Sequence, residues 1–454
     1  MKSKNVREVA LNLILRIDQS GGFSHLMIHH AIESEAVSRK DAALLTEIVY
    51  GSLERKLTLQ YDLSRFIKQK KRTEPWVESL LLLSIYQMRY LNQVPTYAII
   101  NEAVIIAKKR GHKGIASFVN GVLRQADRKG KVDFSKIENK IERLAIETSH
   151  PQWLVERWVD QYGYERTYEM CMTNVDKKPL YLRVNRLKAQ PKEVISLLAE
   201  EGVEAVLSSQ ANYGIMVRNG NVLQTPVIEA GLTTIQDLSS LLASDFTEVK
   251  SGMTVLDSCS APGGKATAMA EAMDNTGDIY AYDLHKNKTK LIKQNAKRLG
   301  LTNLHVSQAD ARHLQDKHDA ESFDRILVDA PCSGLGIIRS KPDIKYSKTE
   351  ADINNLSHIQ FDILNGLAPL VKKGGKLIYS TCTVDRLENN DVIKRFLQEN
   401  PQFVLDPSFT NEVKEKAWTD VLLTDEGLQI FPQSFNSDGF FVTRLMKLDE
   451  KNGE

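Results

Sequence analysis

Cysteine is scarce in this chain. Its 454 residues hold four, Cys171, Cys259, Cys332 and Cys382, too few and too scattered for a disulfide scaffold, which points to a reducing cytoplasm. No Cys-x-x-Cys pair occurs and no histidine cluster has ligand spacing, so a metal site is not expected. Long apolar runs are missing as well. The best, Leu80 to Met88, stops at Arg89, well short of the ~18–20 residues that a membrane span needs. Between Met1 and Asp18 the apolar Val6, Val9, Leu13, Ile14 and Ile17 fall at helical spacing, broken by Arg7, Glu8 and Arg16. That reads as an amphipathic helix of the fold, not a secretion signal. Net charge is also nearly absent, 60 Lys+Arg against 58 Asp+Glu, and with 42% hydrophobic residues the chain is not of disordered composition. Its length suits two to four domains.

The charge balance conceals an asymmetry. Residues 1–131 hold 22 Lys+Arg and 12 Asp+Glu, a net of +10, so the whole-chain +2 leaves −8 for the remainder. A segregated positive region suits an anionic partner, usually nucleic acid. This region reads as helix throughout, for example over Asp41–Leu53, Glu78–Leu91 and Thr96–Lys109, with basic clusters at Lys68-Gln69-Lys70-Lys71-Arg72 and Lys108-Lys109-Arg110. A charged connector ends at His150-Pro151. A mixed stretch follows: helix at Gln152–Tyr162, strand at Pro179–Arg186, helix at Pro191–Glu201, strands at Val203–Leu207 and Gly214–Val217. From about Gly252, β-rich runs alternate with helices: Thr254–Asp257, Ile279–Asp283, Leu304–Ala309, Asp324–Asp329 and Lys376–Ser380. This is the pattern of a doubly wound, mostly parallel sheet, with Gly427–Phe431 and Phe440–Leu445 expected as an antiparallel edge hairpin. The expected domains are a helical bundle over 1–135, a small α/β domain over 150–240 and a Rossmann-like α/β domain over 241–450.

The strongest motif is Val255-Leu256-Asp257-Ser258-Cys259-Ser260-Ala261-Pro262-Gly263-Gly264-Lys265. An apolar strand ends in a turn of small residues that opens a helix over Ala266–Ala272, allowing a ligand to approach the backbone. It is neither a Walker loop nor Gly-x-Gly-x-x-Gly. Asp283 ends the second strand, placed to accept bonds from ribose hydroxyls, and Asp310 ends the third, within reach of an adenine ring. One aspartate could be a helix cap; three successive strand ends carrying one suit an adenosine-containing ligand. Strand four runs into Asp329-Ala330-Pro331-Cys332-Ser333-Gly334 and strand five into Tyr379-Ser380-Thr381-Cys382-Thr383. In a doubly wound sheet strands one, four and five lie side by side at the sheet centre, so both thiols would face the ligand crevice. Cys171 reads as core and Cys259 as backbone-defining. Two thiols beside an adenosine cofactor suit methylation at carbon 5 of cytosine: a thiolate adds to carbon 6, and carbon 5 becomes nucleophilic enough to take a methyl group. Asp329, if burial raises its pKa, is the candidate acid at ring nitrogen 3. The residues alone leave open which cysteine attacks.

The motifs Cys-Ser-Ala-Pro-Gly-Gly-Lys, Asp-Ala-Pro-Cys-Ser-Gly and Ser-Thr-Cys-Thr resemble those of the RNA cytosine-C5 methyltransferases that use S-adenosylmethionine. Ser84-Ile85-Tyr86-Gln87-Met88 and Phe118-Val119-Asn120-Gly121-Val122-Leu123-Arg124 resemble a NusB-type RNA-binding domain, a combination found in the bacterial 16S ribosomal RNA branch of that family. The resemblance implies Cys382 as nucleophile and Cys332 as the thiol assisting product release. It implies cofactor contacts at Cys259, Ser260, Ala261, Pro262, Gly263, Gly264, Lys265, Asp283, Asp310 and Asp329. Ser260 and Thr383 stand where alanine and serine are commoner, and neither change removes a reactive group. The implied target is cytosine 967 of 16S ribosomal RNA, in free RNA or an assembling small-subunit particle, with a monomeric enzyme and no DNA or membrane partner. The competing readings are the same chemistry on another ribosomal or transfer RNA cytosine, and a non-catalytic RNA-binding assembly factor.

Overall fold

The computed structural model describes residues 5–20, 24–34, 38–67 and 73–449. The basic cluster Lys68–Arg72 lies outside the described residues. The chain packs as two compact units, one of residues 1–176 with 338–348 and the other of 177–337 with 349–454. Helices Gln152–Tyr162 and Tyr164–Thr173 therefore pack with the bundle, and the division falls at 176/177, inside the region expected as one α/β domain.

The first unit is helical. Helix Pro75–Tyr90 opens with proline at its first turn, where the missing N–H costs nothing. It buries Val77, Leu80, Leu81, Leu83 and Ile85 around its circumference, so it is the central helix of the bundle. Helices Val6–Ser20, Arg39–Glu54 and Thr96–Arg110 pack around it. A Cβ on Gly51 would lie 1.9 Å from the Tyr86 ring, so glycine lets helix Arg39–Glu54 close on its neighbour. Helix Lys113–Lys129 is amphipathic, burying Ala116, Val119, Val122, Leu123 and Ala126; it is capped by His112 and stopped by Gly130 at φ +65°. The segment 338–348 leaves the sheet unit just after the Cys332 loop and embeds here. Lys345 is fully buried and donates to the Glu54 carbonyl at 2.9 Å, while the Tyr346 hydroxyl donates to the Ser149 carbonyl at 3.0 Å. Burial pushes the Lys345 ammonium down to about 7.

The second unit opens with β1 (Leu180–Val184), β2 (Glu204–Leu207), β3 (Gly214–Asn219) and β4 (Thr233–Ile235), an antiparallel sheet of order β2-β3-β1-β4. Helix Pro191–Glu200 covers it through Val194 and Leu198. The large sheet follows: β5 (Thr254–Asp257), β6 (Asp278–Asp283), β7 (Leu304–Gln308), β8 (Phe323–Asp329), β9 (Val371–Thr381), β10 (Phe403–Leu405), β11 (Leu422–Leu423), β12 (Leu428–Ile430) and β13 (Phe440–Lys447). Its order is β11-β12-β13-β9-β8-β5-β6-β7, with β10 pairing β13. Strands β5 to β9 run parallel; β13 is antiparallel to both β9 and β12. The expected Rossmann-like core and late hairpin are both present, and β10 and β11 extend that side of the sheet. Strand β9 starts at Val371, ahead of the expected Lys376, because Gly374 and Gly375 interrupt the strand pattern at an irregularity opposite Phe323–Arg325. The order reverses between β5 and β8, so the crevice at their carboxyl ends is where a ligand binds in such sheets.

Candidate active site

Strand β5 delivers Asp257 to that crevice. Its carboxylate is fully buried with neither oxygen in a hydrogen bond, and the Ser260 hydroxyl is likewise buried and unpartnered. Burial, then the Asp329 charge, pushes Asp257 up to about 7. Gly263 sits at φ +98° as N-cap of helix Gly264–Ala272, and a Cβ there would come within 3.2 Å of the Ile292 backbone. Only glycine gives both that conformation and that approach. The helix is anchored from β1: Arg183 donates to the Gly264 carbonyl, to Thr267 Oγ1 at 2.9 Å, and to both Glu271 oxygens at 2.9 and 3.1 Å.

The expected residues converge here, with one set apart. Lys265 reaches across to Asp329 at 2.7 Å, and the second Asp329 oxygen accepts from Ser380 Oγ at 2.8 Å. Asp329 thus has an ammonium partner and 30% side-chain exposure, a different setting from the buried acid foreseen for it. Asp283 accepts from the His285 amide at 2.9 Å. The Cys259 thiol lies in the field of Asp257, Asp283 and Asp329, and burial above all pushes its pKa up, so it stays protonated. Asp310 caps the short helix Ala311–Asp316 and pairs with Arg312 at 2.6 Å, an interaction that lowers its pKa. Cys171 is core, its thiol pushed up to about 12 by burial.

Cys332 and Cys382 bring their sulfurs to 3.3 Å as free thiols. The hydrogen bond with Cys382, then burial, holds the Cys332 proton far more tightly than usual. Their loops are stitched together: the Gly336 amide donates to the Cys382 carbonyl at 2.9 Å, and the Ser333 and Thr383 hydroxyls meet at 2.9 Å. Beneath them lies Glu388, fully buried, which accepts from the Ser333 amide at 2.8 Å, the Ser333 hydroxyl and Gln360 Nε2 at 3.0 Å. Burial raises its pKa. Asn389 donates to the Thr383 carbonyl at 3.1 Å. Sequence reasoning passed over Glu388, Asn389 and Arg183 because none belongs to a motif and each holds another residue in place: Glu388 and Arg183 through partners far along the chain, Asn389 through the Thr383 carbonyl six residues before it. Among the described residues no three His, Cys, Asp or Glu side chains gather as metal ligands.

Three family models match: "16S rRNA methyltransferase RsmB/F" over residues 246–446, the NusB family over 4–128, and a ferredoxin-like domain of RsmF/B-like methyltransferases over 150–223. A Bacillus subtilis protein named "Probable ribosomal RNA small subunit methyltransferase B" is 47% identical over 447 residues, 98% of this chain and 100% of that one. The ribosomal RNA small subunit methyltransferase B of Pectobacterium atrosepticum is 31% identical over 98% of this chain and 100% of its own. Among solved structures, PH0851 matches with a TM-score of 0.80 at 26% identity over 98% and 99% of the two chains, and a methyltransferase homologue from Pyrococcus horikoshii with 0.59 at 26% over 69% and 100%. The methyl donor of this family is S-adenosylmethionine, and the buried, unpartnered carboxylate of Asp257 and hydroxyl of Ser260 suit a ligand carrying hydrogen-bond donors. With thiol pair, glycine turn and NusB bundle in one chain, matched along its length to small-subunit enzymes, the protein belongs to the RsmB/F family of 16S ribosomal RNA methyltransferases.

Proposed function

We propose that the chain transfers a methyl group from S-adenosylmethionine to carbon 5 of one cytosine in 16S ribosomal RNA, the family's position 967. The observation that carries this reading is the contact of two thiols, 3.3 Å apart, at the ends of adjacent strands β8 and β9. Bound at the β5 and β6 ends, the cofactor supplies an electrophilic sulfonium methyl. Residues 259–265 and Asp283 would cradle it, and Asp310 would join them by exchanging its Arg312 contact. As a thiolate, Cys382 attacks carbon 6 of the flipped-out base; the carbon–sulfur bond forms as the C5–C6 double bond opens toward nitrogen 3, leaving carbon 5 enamine-like. Cys332 is the thiol that keeps its proton and holds it toward Cys382. The Asp329–Lys265 pair is placed to hydrogen-bond the ring at nitrogen 3 as charge develops there. After methyl transfer the carbon-5 proton passes to a water molecule acting as base, its electron pair re-forms the C5–C6 double bond, and the Cys382 sulfur leaves carbon 6 as a thiolate. Cys332 assists that release by hydrogen-bonding the departing sulfur.

Substrate binding falls to the basic bundle together with the β1–β4 layer. On the bundle, Lys108, Lys113 and Arg124 line a groove of about 610 Å³ with Asn101, Asn120 and the exposed Tyr97. The rest of the Lys108-Lys109-Arg110 cluster is engaged internally: Lys109 pairs with Glu8 at 2.8 Å and Arg110 bonds Asn12. A cationic rim with one exposed aromatic suits a phosphate backbone and a stacked base. No described helix is long and apolar enough to cross a membrane, and a monomer acting on assembling small subunits in the cytoplasm fits the reading. Methylation of a 16S fragment by purified Cys382→Ala protein tests it. Expected is loss of methyl transfer with cofactor affinity within about twofold of the parent; transfer surviving in that variant would refute the assigned nucleophile.

A further inference from the structure

The net charge of −8 beyond residue 131 hides one strongly basic element. Helix Lys286–Leu299 carries Lys286, Lys288, Lys290, Lys293, Lys297 and Arg298 without a single acidic residue. All five lysines are exposed, and among the described residues none has a carboxylate within ion-pair distance. Lys286, Lys290, Lys293 and Lys297 recur at i, i+4, i+7 and i+11, a single row about 16 Å long at 1.5 Å per residue. Leu284, just before the helix, and Leu291 within it are 53% and 46% exposed.

This arrangement works against the helix that bears it. Three like-charged neighbours along the row each cost roughly 0.2–0.5 kcal/mol. Lys286 and Lys288 also sit in the first turn, the positive end of the helix dipole, where no acidic residue offsets them. An inert solvated face would not concentrate one sign at the wrong end. Another face of the helix buries Thr289, Ile292, Ala296 and Leu299. There Asn295 donates to the Pro262 carbonyl at 3.0 Å, and Ile292 closes on Gly263. At the far end Arg298 donates to the Ile228 and Thr233 carbonyls at 2.7 and 2.9 Å, joining the helix to the β1–β4 layer. The exposed Lys188 continues the basic surface past that end, donating to the Ala230 carbonyl at 3.1 Å. The lysine row is therefore fixed rigidly to the back of the cofactor turn.

We propose that this row is a second RNA-binding surface, gripping consecutive phosphates of the substrate strand and orienting it on the methyltransferase domain. The proposal rests on the RNA-substrate reading above and gives the catalytic domain its own phosphate contacts. The occupant is RNA backbone, because a straight row of uncompensated cations complements a regularly spaced polyanion.

The test uses the full-length protein and a labelled 16S fragment, with binding followed by anisotropy across a potassium chloride series. The quadruple variant K286Q/K290Q/K293Q/K297Q should bind at least tenfold more weakly at 100 mM salt. Its log Kd against log salt slope should fall by about 2–3, since each lost phosphate contact removes ~0.7 on a single strand. Cofactor affinity and melting temperature should not fall. The pairs K286Q/K290Q and K293Q/K297Q should each show about half the change in slope. A parent that binds and methylates RNA while the quadruple variant keeps its Kd within twofold and its slope unchanged overturns the surface alone. A variant that loses heparin binding yet keeps RNA binding overturns it too. A parent that neither binds nor methylates RNA overturns both readings.

Discussion

Arg183 is the residue whose loss the structure makes most costly outside the reacting groups. It lies 4% exposed on β1, and its partner Glu271 is 1% exposed on the helix that carries the cofactor turn. Replacing Arg183 with methionine roughly keeps the volume but strands a buried carboxylate and the Gln236 side-chain oxygen, while the Thr267 hydroxyl keeps its bonds to the Gly263 and Gly264 carbonyls. Breaking a buried pair on one side costs roughly 3–5 kcal/mol, a large share of the 5–15 kcal/mol by which a typical domain is stable. Glu271→Gln should cost a comparable amount, by leaving the guanidinium its neutral acceptors but no countercharge. The double variant should then be less destabilised than the sum by about 2–3 kcal/mol, because each group is the other's nearest charge, with Arg186 and Arg298 acting on Glu271 more weakly. Burial already raises the Glu271 pKa despite Arg183. An acid raised in the folded state contributes stability that is present below its unfolded value and is lost as pH climbs through its folded value. Without Arg183 that rise grows, so the cost of Arg183→Met should be smaller at pH 5 than at pH 8. Urea unfolding read by hydrogen exchange at Gly264–Ala272 reports the relevant unit, and cofactor affinity should fall in parallel. A variant within about 0.5 kcal/mol of the parent, or strict additivity in the double, would refute the reasoning.

Three further outcomes are expected. Cys332→Ala should trap a covalent protein–RNA adduct, seen as a slow band on a denaturing gel, because addition proceeds while release stalls. Glu388→Ala strands the Ser333 and Gln360 donors at about 1–3 kcal/mol for each unsatisfied group; it should lower stability and loosen the Cys332 loop, so that adduct accumulates there as well. Asp257, raised to about 7, contributes stability that is lost as pH rises from the ordinary carboxylate range to that value. Asp257→Asn should accordingly flatten the decline in unfolding free energy between about pH 4 and pH 7, and an unchanged slope would show that this carboxyl is not the buried acid described.

Much of the sheet unit is legible because its strands end in residues with special backbone demands. The runs into Asp257, Asp283 and Asp329 match strands whose next residue must turn, and β13 announces itself through Phe440–Leu445. Strands β10 and β11 are too short to show a period of two. The bundle's claim on residues 152–173 is invisible for a different reason: helix Gln152–Tyr162 has an apolar face whichever neighbour it packs against. Pairings such as Lys265 with Asp329, or Ser333 with Glu388, join residues more than 50 positions apart, and nothing local encodes them. The lysine row was readable in principle from its spacing, but averaging charge over a whole domain erased it.

The embedded segment 338–348 has a consequence for how this protein can be divided. The chain passes between its two units at 176/177, 337/338 and 348/349, so the helical unit is no detachable appendage. A fragment ending at residue 176 would lack the lysine and tyrosine that fill its interior, leaving the Glu54 and Ser149 carbonyls without those donors. A fragment beginning at 177 would carry an orphaned loop a few residues beyond Cys332. The unit boundaries therefore do not follow chain order, and exchange of the helical unit with that of a relative should give a folded protein only when residues 338–348 travel with it.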